Sequence, residues 1–552
     1  MKQTNWYKDA IIYQIYPRSF CDGNGDGLGD IPGIISKLDY LKELGVNCVW
    51  LSPVYDSPQE DNGYDISNYR DIYKPFGTLD DFKLMLSEMH KRGIRLIMDL
   101  VVNHTSSEHE WFKSAISDKN SPYRDYYIIK KGRKDGKKTP NNWSGFFGEK
   151  AWERIGNSED WYLHLFAKGQ PDLNWENPKV REEVKDILRY WLDMGVDGFR
   201  CDVITLISKD QRFKNAAPTI ALAGKQYFVN GPKLHDYLQE LNRDVYQNYD
   251  CMTVGETVLS TIDDARLLVD PARKELSMIF NFDHTDSDNY LGVKWFYRKF
   301  KLKRLKHRVN KWQQGLYGCG WNSLFIENHD QRRCVGRFGT DDKELRIESA
   351  KMLGTTYFFL QGTPFIYEGQ ELGMTNGDFK TLDDFKDVET HNINKLMNKH
   401  KILKLFLKKN LFPCSRDNAR TPMQWDDSEY AGFSKVKPWI QVNANKSFIN
   451  AKQELSDDKS IFHYYQKLIE LRKGDEVIKD GIYVDLLPNN SNIYAYVRKN
   501  DNKELIIVSN FTKIKRKNPL FNKLKDYTLV LSNYDNNEDE LKPYETRVYK
   551  NY

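Results

Sequence analysis

Residues 82–104 read FKLMLSEMHKRGIRLIMDLVVNH, a helical pattern that runs directly into a strand pattern. The first part has apolar residues at the spacing of an amphipathic helix, namely Phe82, Met85, Leu86 and Met89. The second part, 94–102, is a short and mostly apolar run of the kind that forms a buried strand. A helix followed at once by a buried strand is the repeating unit of a parallel α/β fold.

Similar apolar runs recur along the chain, and helical patterns separate most of them. We predict eight strands, at Ala10–Tyr16, Asn47–Leu51, Ile94–Val102, Asp197–Val203, Met252–Glu256, Ile279–Phe282, Ser323–Glu327 and Pro364–Tyr367. Eight strands that alternate with helices indicate an α/β protein with a (β/α)8 barrel, the TIM barrel.

The spacing of these strands predicts the domain organisation. We assign residues 1–104 and 173–478 to the barrel, and 105–172, which follow the third strand, to an inserted subdomain rich in Lys, Gly, Asn and Trp. A second insertion, at about 375–451, follows the eighth strand. Short alternating strands from 479 to 552 predict a C-terminal antiparallel β-sandwich domain.

Composition excludes several classes of protein. The 552 residues are 40% hydrophobic and 29% charged, and their net charge is only +5. We therefore expect a globular monomer that binds neither nucleic acid nor a membrane, because a nucleic-acid binder usually carries a large basic excess. Seven widely spaced cysteines and an N-terminus without an apolar segment predict reduced thiols and a cytoplasmic location.

Polar residues end several of the predicted strands, where the loops of a barrel meet at one opening. They are Asp99, Asn103, His104, Arg200, Asp202, Glu256, Asn328, His329 and Asp330. A cluster of carboxylates at this place can bind a divalent metal or cleave a glycosidic bond. Asp202 and Glu256 end adjacent strands, so a retaining separation of about 5–5.5 Å is feasible. Arg200, two residues before Asp202, would keep that carboxylate ionised.

Four of these segments, DLVVNH (99–104), GFRCDV (198–203), VGET (254–257) and ENHD (327–330), resemble the signature blocks of the α-amylase family, glycoside hydrolase family 13. QPDLNWEN (170–177) resembles the extra block of the oligo-1,6-glucosidases in that family. The resemblance implies that Asp202 is the nucleophile, Glu256 the general acid/base and Asp330 the stabiliser of the transition state. It also implies that His104, Arg200 and His329 bind the sugar, without any organic cofactor.

The loop DGNGDGLGD (22–30) places oxygen ligands at alternate positions, as a calcium loop does. The predicted ligands for a structural Ca²⁺ or Mg²⁺ are Asp22, Asn24, Asp26, the carbonyl of Leu28, and Asp30. Gly33 stands where an EF-hand has its Glu, so the loop is not an EF-hand. The alternative is a plain Asp/Gly turn.

Two further segments predict a closed sugar pocket. Tyr64 can form a platform under the apolar face of a sugar, and Asp65 can take its hydroxyls. Residues 415–425, SRDNARTPMQW, resemble the block that supplies an arginine to meet this aspartate, and we assign Arg416. A pocket closed in this way implies exo-action, with glucose released from the non-reducing end.

Bond specificity depends on fewer residues. By the same resemblance, Val203 favours α-1,6 bonds and Glu371 contacts the leaving sugar. The expected protein is a retaining exo-α-glucosidase that hydrolyses α-1,6 bonds at the non-reducing end of short isomalto-oligosaccharides through a covalent β-glucosyl-enzyme. The alternatives are a sucrose- or maltose-preferring α-glucosidase, a trehalose-6-phosphate hydrolase, and a non-catalytic relative. The stretch 283–289, DHTDSDN, lacks the arginines of the sucrose isomerases, which argues against isomerisation.

Overall fold

A barrel of eight parallel strands forms the centre of the computed structural model, which describes residues 4–219, 221–290, 293–399, 404, 409–535 and 537–552. The strands are β1 (Ile12–Ile15), β2 (Cys48–Leu51), β3 (Arg95–Leu100), β4 (Gly198–Cys201), β5 (Met252–Glu256), β6 (Met278–Phe280), β7 (Ser323–Leu324) and β8 (Thr363–Tyr367). Ladder hydrogen bonds join β6 through β1 to β8 and β7, and a bridge between Ile279 and Asn322 closes the ring. The predicted TIM barrel is confirmed.

Helices connect the barrel strands. Those before β8 are Pro17–Phe20, Ile31–Ser36, Leu38–Leu44, Leu79–Lys91, Pro178–Met194, Lys225–Phe228, Leu234–Asp244, Ile262–Val269, Leu302–Leu316, Cys334–Phe338 and Arg346–Phe358. The helix Leu79–Lys91 shows why they form where they do. A reciprocal capping box of Thr78 and Asp81 starts it, and its buried face holds the four apolar residues that the spacing predicts.

The alternation of side chains along each strand separates two cores. Trp50, Ile97 and Val254 point into the barrel, whereas Val49 and Leu51 pack outward against the helices. Because the period is two residues, the next inward positions beyond the apolar layer carry polar side chains, such as Asp99 after Ile97 and Glu256 after Val254. The catalytic candidates therefore lie on top of a filled apolar barrel.

Two segments outside the barrel sheet surround its C-terminal end. The segment 105–172 contains the helix Glu110–Ser117 and an antiparallel sheet of Ile129–Lys131, Trp152–Arg154 and Asp160–Leu163. After β8, the helices are Val388–Lys399, Leu411–Cys414, Ala451–Ser456, Ile461–Arg472 and Glu476–Asp480. Residues 400–403 and 405–408 of the predicted second insertion lie outside the described residues. The predicted domain boundaries stay predictions.

The C-terminal strands form one five-stranded antiparallel sheet and a two-stranded ribbon. The sheet contains, in spatial order, Ile482–Asp485, Ile493–Asn500, Lys503–Asn510, Thr546–Lys550 and Thr528–Ser532, and the ribbon pairs Arg516–Lys517 with Glu540–Leu541. Tyr494 and Tyr496 pack toward the barrel helices, whereas Ile493 and Ala495 pack on the other face with Leu541 of the ribbon. The predicted antiparallel β-domain is confirmed. Across the described ranges, the helices are too short or too polar to span a membrane.

Candidate active site

A cavity of about 320 Å³ opens at the C-terminal ends of the barrel strands. Seven of the residues predicted from the sequence line it, namely Tyr64, His104, Asp202, Val203, Glu256, Asp330 and Arg416. Glu256 ends β5, and loops that follow other strands supply the rest, as the barrel geometry requires. The structure therefore brings most of the predicted site together at one opening.

Arg200 organises the floor of this cavity. Its guanidinium is 2% exposed, and Nη1 lies 2.5 Å from Oδ1 of Asp99 and 2.6 Å from Oδ1 of Asp202. Nη2 lies 2.7 Å from Oε2 of Glu256, which also accepts the backbone N–H of Val203 at 3.0 Å. Both predicted catalytic carboxylates therefore contact one buried cation, and they are held close to each other.

Burial sets the proton affinity of the nucleophile candidate. Loss of water raises the pKa of Asp202 well above the usual range for aspartate, the Arg200 cation lowers it, and the Glu256 carboxylate raises it again. Asp202 and Glu256 are thus two neighbouring carboxylates on one buried cation, the arrangement that a retaining glycosidase uses.

His329 is held in a fixed orientation and is neutral. Its Nδ1 lies 2.8 Å from Nε2 of Gln14, its Nε2 lies 2.7 Å from the hydroxyl of Tyr64, and the Tyr64 ring stacks on it at 5.3 Å. Burial lowers the pKa of His329 to about 3. His329 is thus a neutral polar group that also orients Tyr64.

His104 lies on the other side of Tyr64. Its Nε2 is 3.1 Å from the carbonyl oxygen of Tyr64 and 3.2 Å from Nε2 of Gln170. Burial lowers the pKa of His104 to about 4, so this ring is also neutral. Gln170 lines the cavity, and its place in the QPDLNWEN block was the available sequence signal.

Two arginines contact the carboxylate of Asp330. Nη2 of Arg420 lies 2.7 Å from Oδ1 of Asp330, and Nη1 of Arg416 lies 3.4 Å from the same oxygen. Burial by itself would raise the pKa of Asp330, but the surrounding positive charges outweigh it and lower that pKa far below its usual range. Asp330 is therefore ionised and can accept hydrogen bonds from sugar hydroxyls.

Arg416 contacts Asp61, not Asp65. Its Nη2 lies 2.9 Å from Oδ1 of Asp61 and 2.7 Å from Oδ1 of Asp387, which corrects the predicted pairing. Asp65 is fully buried, and its oxygens accept the backbone N–H groups of Glu60 and Asp61. Asp65 thus fixes the loop that presents Asp61, and only Asp61 reaches the cavity.

Glu371 does not line the cavity in the described part of the chain, contrary to the prediction that it contacts the leaving sugar. It is fully buried, and its Oε1 accepts hydrogen bonds from Tyr13 at 2.8 Å and Tyr40 at 2.7 Å. A carboxylate that does line the cavity is Glu389, whose Oε2 lies 2.5 Å from Nζ of Lys294. No periodic pattern marks Glu389 in the sequence, because it follows an irregular loop.

The burial of Glu371 gives a testable pH dependence. Burial raises its pKa from an ordinary value of 4.5 to about 7, against the hydrogen bonds of the two tyrosines. Between about pH 4.5 and 7 the folded chain holds the proton of Glu371 more tightly than the unfolded chain does. The free energy of unfolding therefore falls as the pH rises through this range.

We therefore expect Glu371→Gln to gain thermal stability relative to the native chain as the pH rises from 5 to 8. Its kcat/KM should stay within about twofold, because the side chain touches no reacting group. Thermal unfolding at several pH values checks the first expectation. A large loss of turnover would contradict the second and would show that Glu371 acts in the active site.

The glycine-rich loop 22–30 forms a compact turn. Oδ1 of Asp22 accepts the N–H of Gly25 within the loop. Oδ1 of Asp30 accepts the N–H of Gly33 at the start of the helix Ile31–Ser36, and its Oδ2 accepts the N–H of Asn24 in the loop. Within the described ranges, no cluster of three or more His, Cys, Asp or Glu side chains is placed to hold a metal ion. A cation here would need Asn24 and the Leu28 carbonyl as well, a ligand set of hard oxygens that suits Ca²⁺.

The chain matches the family model described as alpha amylase, catalytic domain, over residues 14–481. It is 53% identical over 561 aligned residues to an oligo-1,6-glucosidase from Parageobacillus thermoglucosidasius, covering 99% of both chains. It is 48% identical over 511 residues to a trehalose-6-phosphate hydrolase from Bacillus subtilis strain 168, covering 92% of this chain and 90% of that one.

Among solved structures, an isomaltulose synthase from Klebsiella sp. LX3 superposes with a TM-score of 0.94 at 42% identity, over 99% of both chains. The geometry of the site and the full-length matches lead to the same family. Asp202 and Glu256 end adjacent strands and share Arg200, as the sequence blocks of that family predict. The chain belongs to the α-amylase family of glycoside hydrolases.

Proposed function

We propose that this protein is a retaining, exo-acting α-glucosidase that cleaves α-1,6 bonds at the non-reducing end of short isomalto-oligosaccharides. The deep end of the cavity carries the proposal. There Arg416 joins Asp61, at 2.9 Å, to Asp330, at 3.4 Å, and this chain of charges would close the pocket beyond a terminal glucose. The names of relatives such as the Parageobacillus oligo-1,6-glucosidase support the bond specificity.

In the proposed reaction, the two carboxyls beside Arg200 act in turn. Arg200 holds Oδ1 of Asp202, so Oδ2 is the oxygen available to attack the anomeric carbon. As the glycosidic bond breaks, the proton of Glu256 passes to the leaving oxygen, and a β-glucosyl ester of Asp202 forms. Ionised Glu256 then takes a proton from water, which releases α-glucose.

Charge at the cavity favours a neutral substrate over a sugar phosphate. Six carboxylates line it: Asp61, Asp202, Glu256, Asp286, Asp330 and Glu389. Of the two cations in the described lining, Lys294 pairs with Glu389 and Arg416 pairs with Asp61 and Asp387. A phosphate would have to compete with these acids, which argues against the trehalose-6-phosphate activity of the Bacillus subtilis relative.

The test is a comparison of kcat/KM on isomaltose, maltose, sucrose and trehalose-6-phosphate. We expect the highest value on isomaltose and the lowest on the phosphorylated sugar. A higher value on any of the other three substrates would overturn the α-1,6 assignment. A high value on trehalose-6-phosphate would show that the carboxylate-rich lining does not exclude a phosphate.

Val203 is the proposed determinant of the bond type. It follows Asp202 directly, lines the cavity, and is only 5% exposed. Its branched side chain narrows the space beside the nucleophile, so Val203→Ala should shift the ratio of kcat/KM on isomaltose to that on maltose by about tenfold toward maltose. Val203→Ile keeps the branch and should keep the ratio. Equal losses on both sugars in Val203→Ala would contradict this role.

We also propose that the loop 22–30 binds a structural Ca²⁺ or Mg²⁺ through Asp22, Asn24, Asp26, Asp30 and the Leu28 carbonyl. Asp26 is exposed at the loop tip, and its carboxylate accepts the N–H of Leu28. The loop residues are absent from the described lining of the cavity, so the ion would stabilise the fold and take no part in the chemistry.

Removal of the ion with EDTA should lower Tm by about 2 °C, because a ligand at about 100 times its Kd adds about 2.7 kcal/mol and a chain of this size unfolds with roughly 1.2 kcal/mol/K. Added Ca²⁺ should restore the Tm of the native chain but not that of Asp26→Ala. An identical Tm with EDTA and with Ca²⁺ would show that the loop 22–30 is a plain Asp/Gly turn that binds no ion.

A further inference from the structure

Three strained aliphatic residues surround one side of the active-site cavity. Fourteen non-glycine residues in the described part of the chain have positive φ, and most are polar or lie in turns. The branched aliphatic residues among them are Val203 (φ 35°), Leu222 (φ 51°) and Leu259 (φ 59°), and all three line the cavity. Bulky residues rarely adopt this left-handed conformation, and such strain concentrates at functional sites.

Core packing does not account for the strain at the two leucines. Leu259 is 50% exposed, and Leu222 is partly exposed. Glycine or asparagine would adopt the same backbone at lower cost. We therefore expect the two aliphatic side chains to act at the cavity itself. Both are at least partly exposed, so a ligand that enters the cavity can contact them.

The position of the two leucines relative to the catalytic acids indicates which part of the substrate they contact. The charged network of Asp61, Asp330 and Arg416 takes the glucose at the deep end, so the leaving group must lie toward the mouth. Leu259 follows the proton donor Glu256 by three residues in the loop after β5, and Leu222 belongs to the loop after β4. Two loops thus bring aliphatic side chains to the mouth beside the proton donor.

We propose that Leu222 and Leu259 are specificity-determining residues that bind the apolar face of the leaving group. This inference rests on the proposed glucosidase activity and extends it to the chemistry of the leaving group. Leaving groups with an apolar surface, such as an aryl ring, an alkyl chain or the C–H face of a sugar, contact the two leucines. This role gives a reason for the positive φ at both leucines, because the strained backbone presents each side chain to the cavity.

The experiment compares two substrates that share the glucosyl group. Leu222→Asn/Leu259→Asn relieves the strain, since asparagine tolerates left-handed backbone, and removes the apolar surface. We expect kcat/KM on p-nitrophenyl α-glucoside to fall by about tenfold, whereas kcat/KM on α-glucosyl fluoride, whose leaving group makes no apolar contact, stays within about twofold. The Tm of the double variant should equal or exceed that of the native chain.

Leu84→Asn is the matched control, because Leu84 is 51% exposed on the helix Leu79–Lys91 and is absent from the described lining of the cavity. It should leave both substrates unchanged. Equal losses on the fluoride and the aryl glucoside, a marked fall in Tm, or no change on either substrate would overturn the proposal. Turnover of glucosyl fluoride by the native chain separately tests the glucosidase activity, so failure of the two proposals can be told apart.

Discussion

Asp202→Ala should abolish hydrolysis, with kcat on isomaltose lowered by about 10⁴-fold or more, because the covalent step has lost its nucleophile. The fold should survive the change. Arg200 keeps Asp99 and Glu256 as partners at 2.5 and 2.7 Å, so no buried cation is left without a counter-ion. Thermal unfolding and circular dichroism should therefore match those of the native chain.

Azide distinguishes a missing nucleophile from a damaged site. In Asp202→Ala, azide can occupy the space of the lost carboxylate and attack the anomeric carbon while Glu256 still protonates the leaving group. The C–O bond breaks as the C–N bond forms, so the product is β-glucosyl azide, with inverted configuration. Nuclear magnetic resonance of the product identifies the anomer.

An exposed aspartate provides the control for this prediction. Asp236 lies in the first turn of the helix Leu234–Asp244, and Asp236→Ala should retain native turnover. If Asp202→Ala kept near-native turnover, the assignment of the nucleophile would collapse. If it were inactive and azide gave no product, Asp202 would be needed for something other than nucleophilic attack.

The barrel and its acids could be predicted from the sequence because both follow simple periodicities. Helical spacing places Phe82 and Met85 on one face, and the two-residue alternation of strands places Asp99, Arg200 and Glu256 on the inner wall. A parallel barrel then brings those positions to a single opening. Local sequence pattern and barrel topology were therefore sufficient to predict this part of the site.

The walls of the cavity could not be predicted in the same way, because loops have no period. Asp61 and Asp65 flank the same turn, and only the folded loop shows that Asp61 meets Arg416 while Asp65 binds backbone amides. Glu371 lies between two glycines in left-handed conformation, which turn its short helix into the core beside Tyr13. Asp387, fully buried beneath Arg416, carries no sequence signal at all.

Glu256→Gln should reveal the second catalytic role through its dependence on the leaving group. Glutamine keeps the shape and can accept the N–H of Val203, as Oε2 of Glu256 does at 3.0 Å, but its amide has no acidic proton to transfer to the leaving oxygen. Hydrolysis of isomaltose, whose leaving alcohol is a poor one, should fall by about 10³–10⁴-fold, near the upper limit for general acid catalysis.

The same variant should still react with p-nitrophenyl α-glucoside, because p-nitrophenolate leaves without protonation. We expect a burst of p-nitrophenol equal to the enzyme concentration, followed by a slow phase, since no base remains to activate water against the ester of Asp202. Azide needs no base, so it should accelerate the slow phase and give α-glucosyl azide, with retained configuration.

The two variants together assign the two carboxylates. Inverted azide product from Asp202→Ala and retained product from Glu256→Gln can arise together only if Asp202 forms the covalent bond and Glu256 transfers the proton. The opposite pair of products would exchange the roles of two acids that both contact Arg200, at 2.6 and 2.7 Å. The configuration at the anomeric carbon therefore distinguishes the proton donor from the nucleophile.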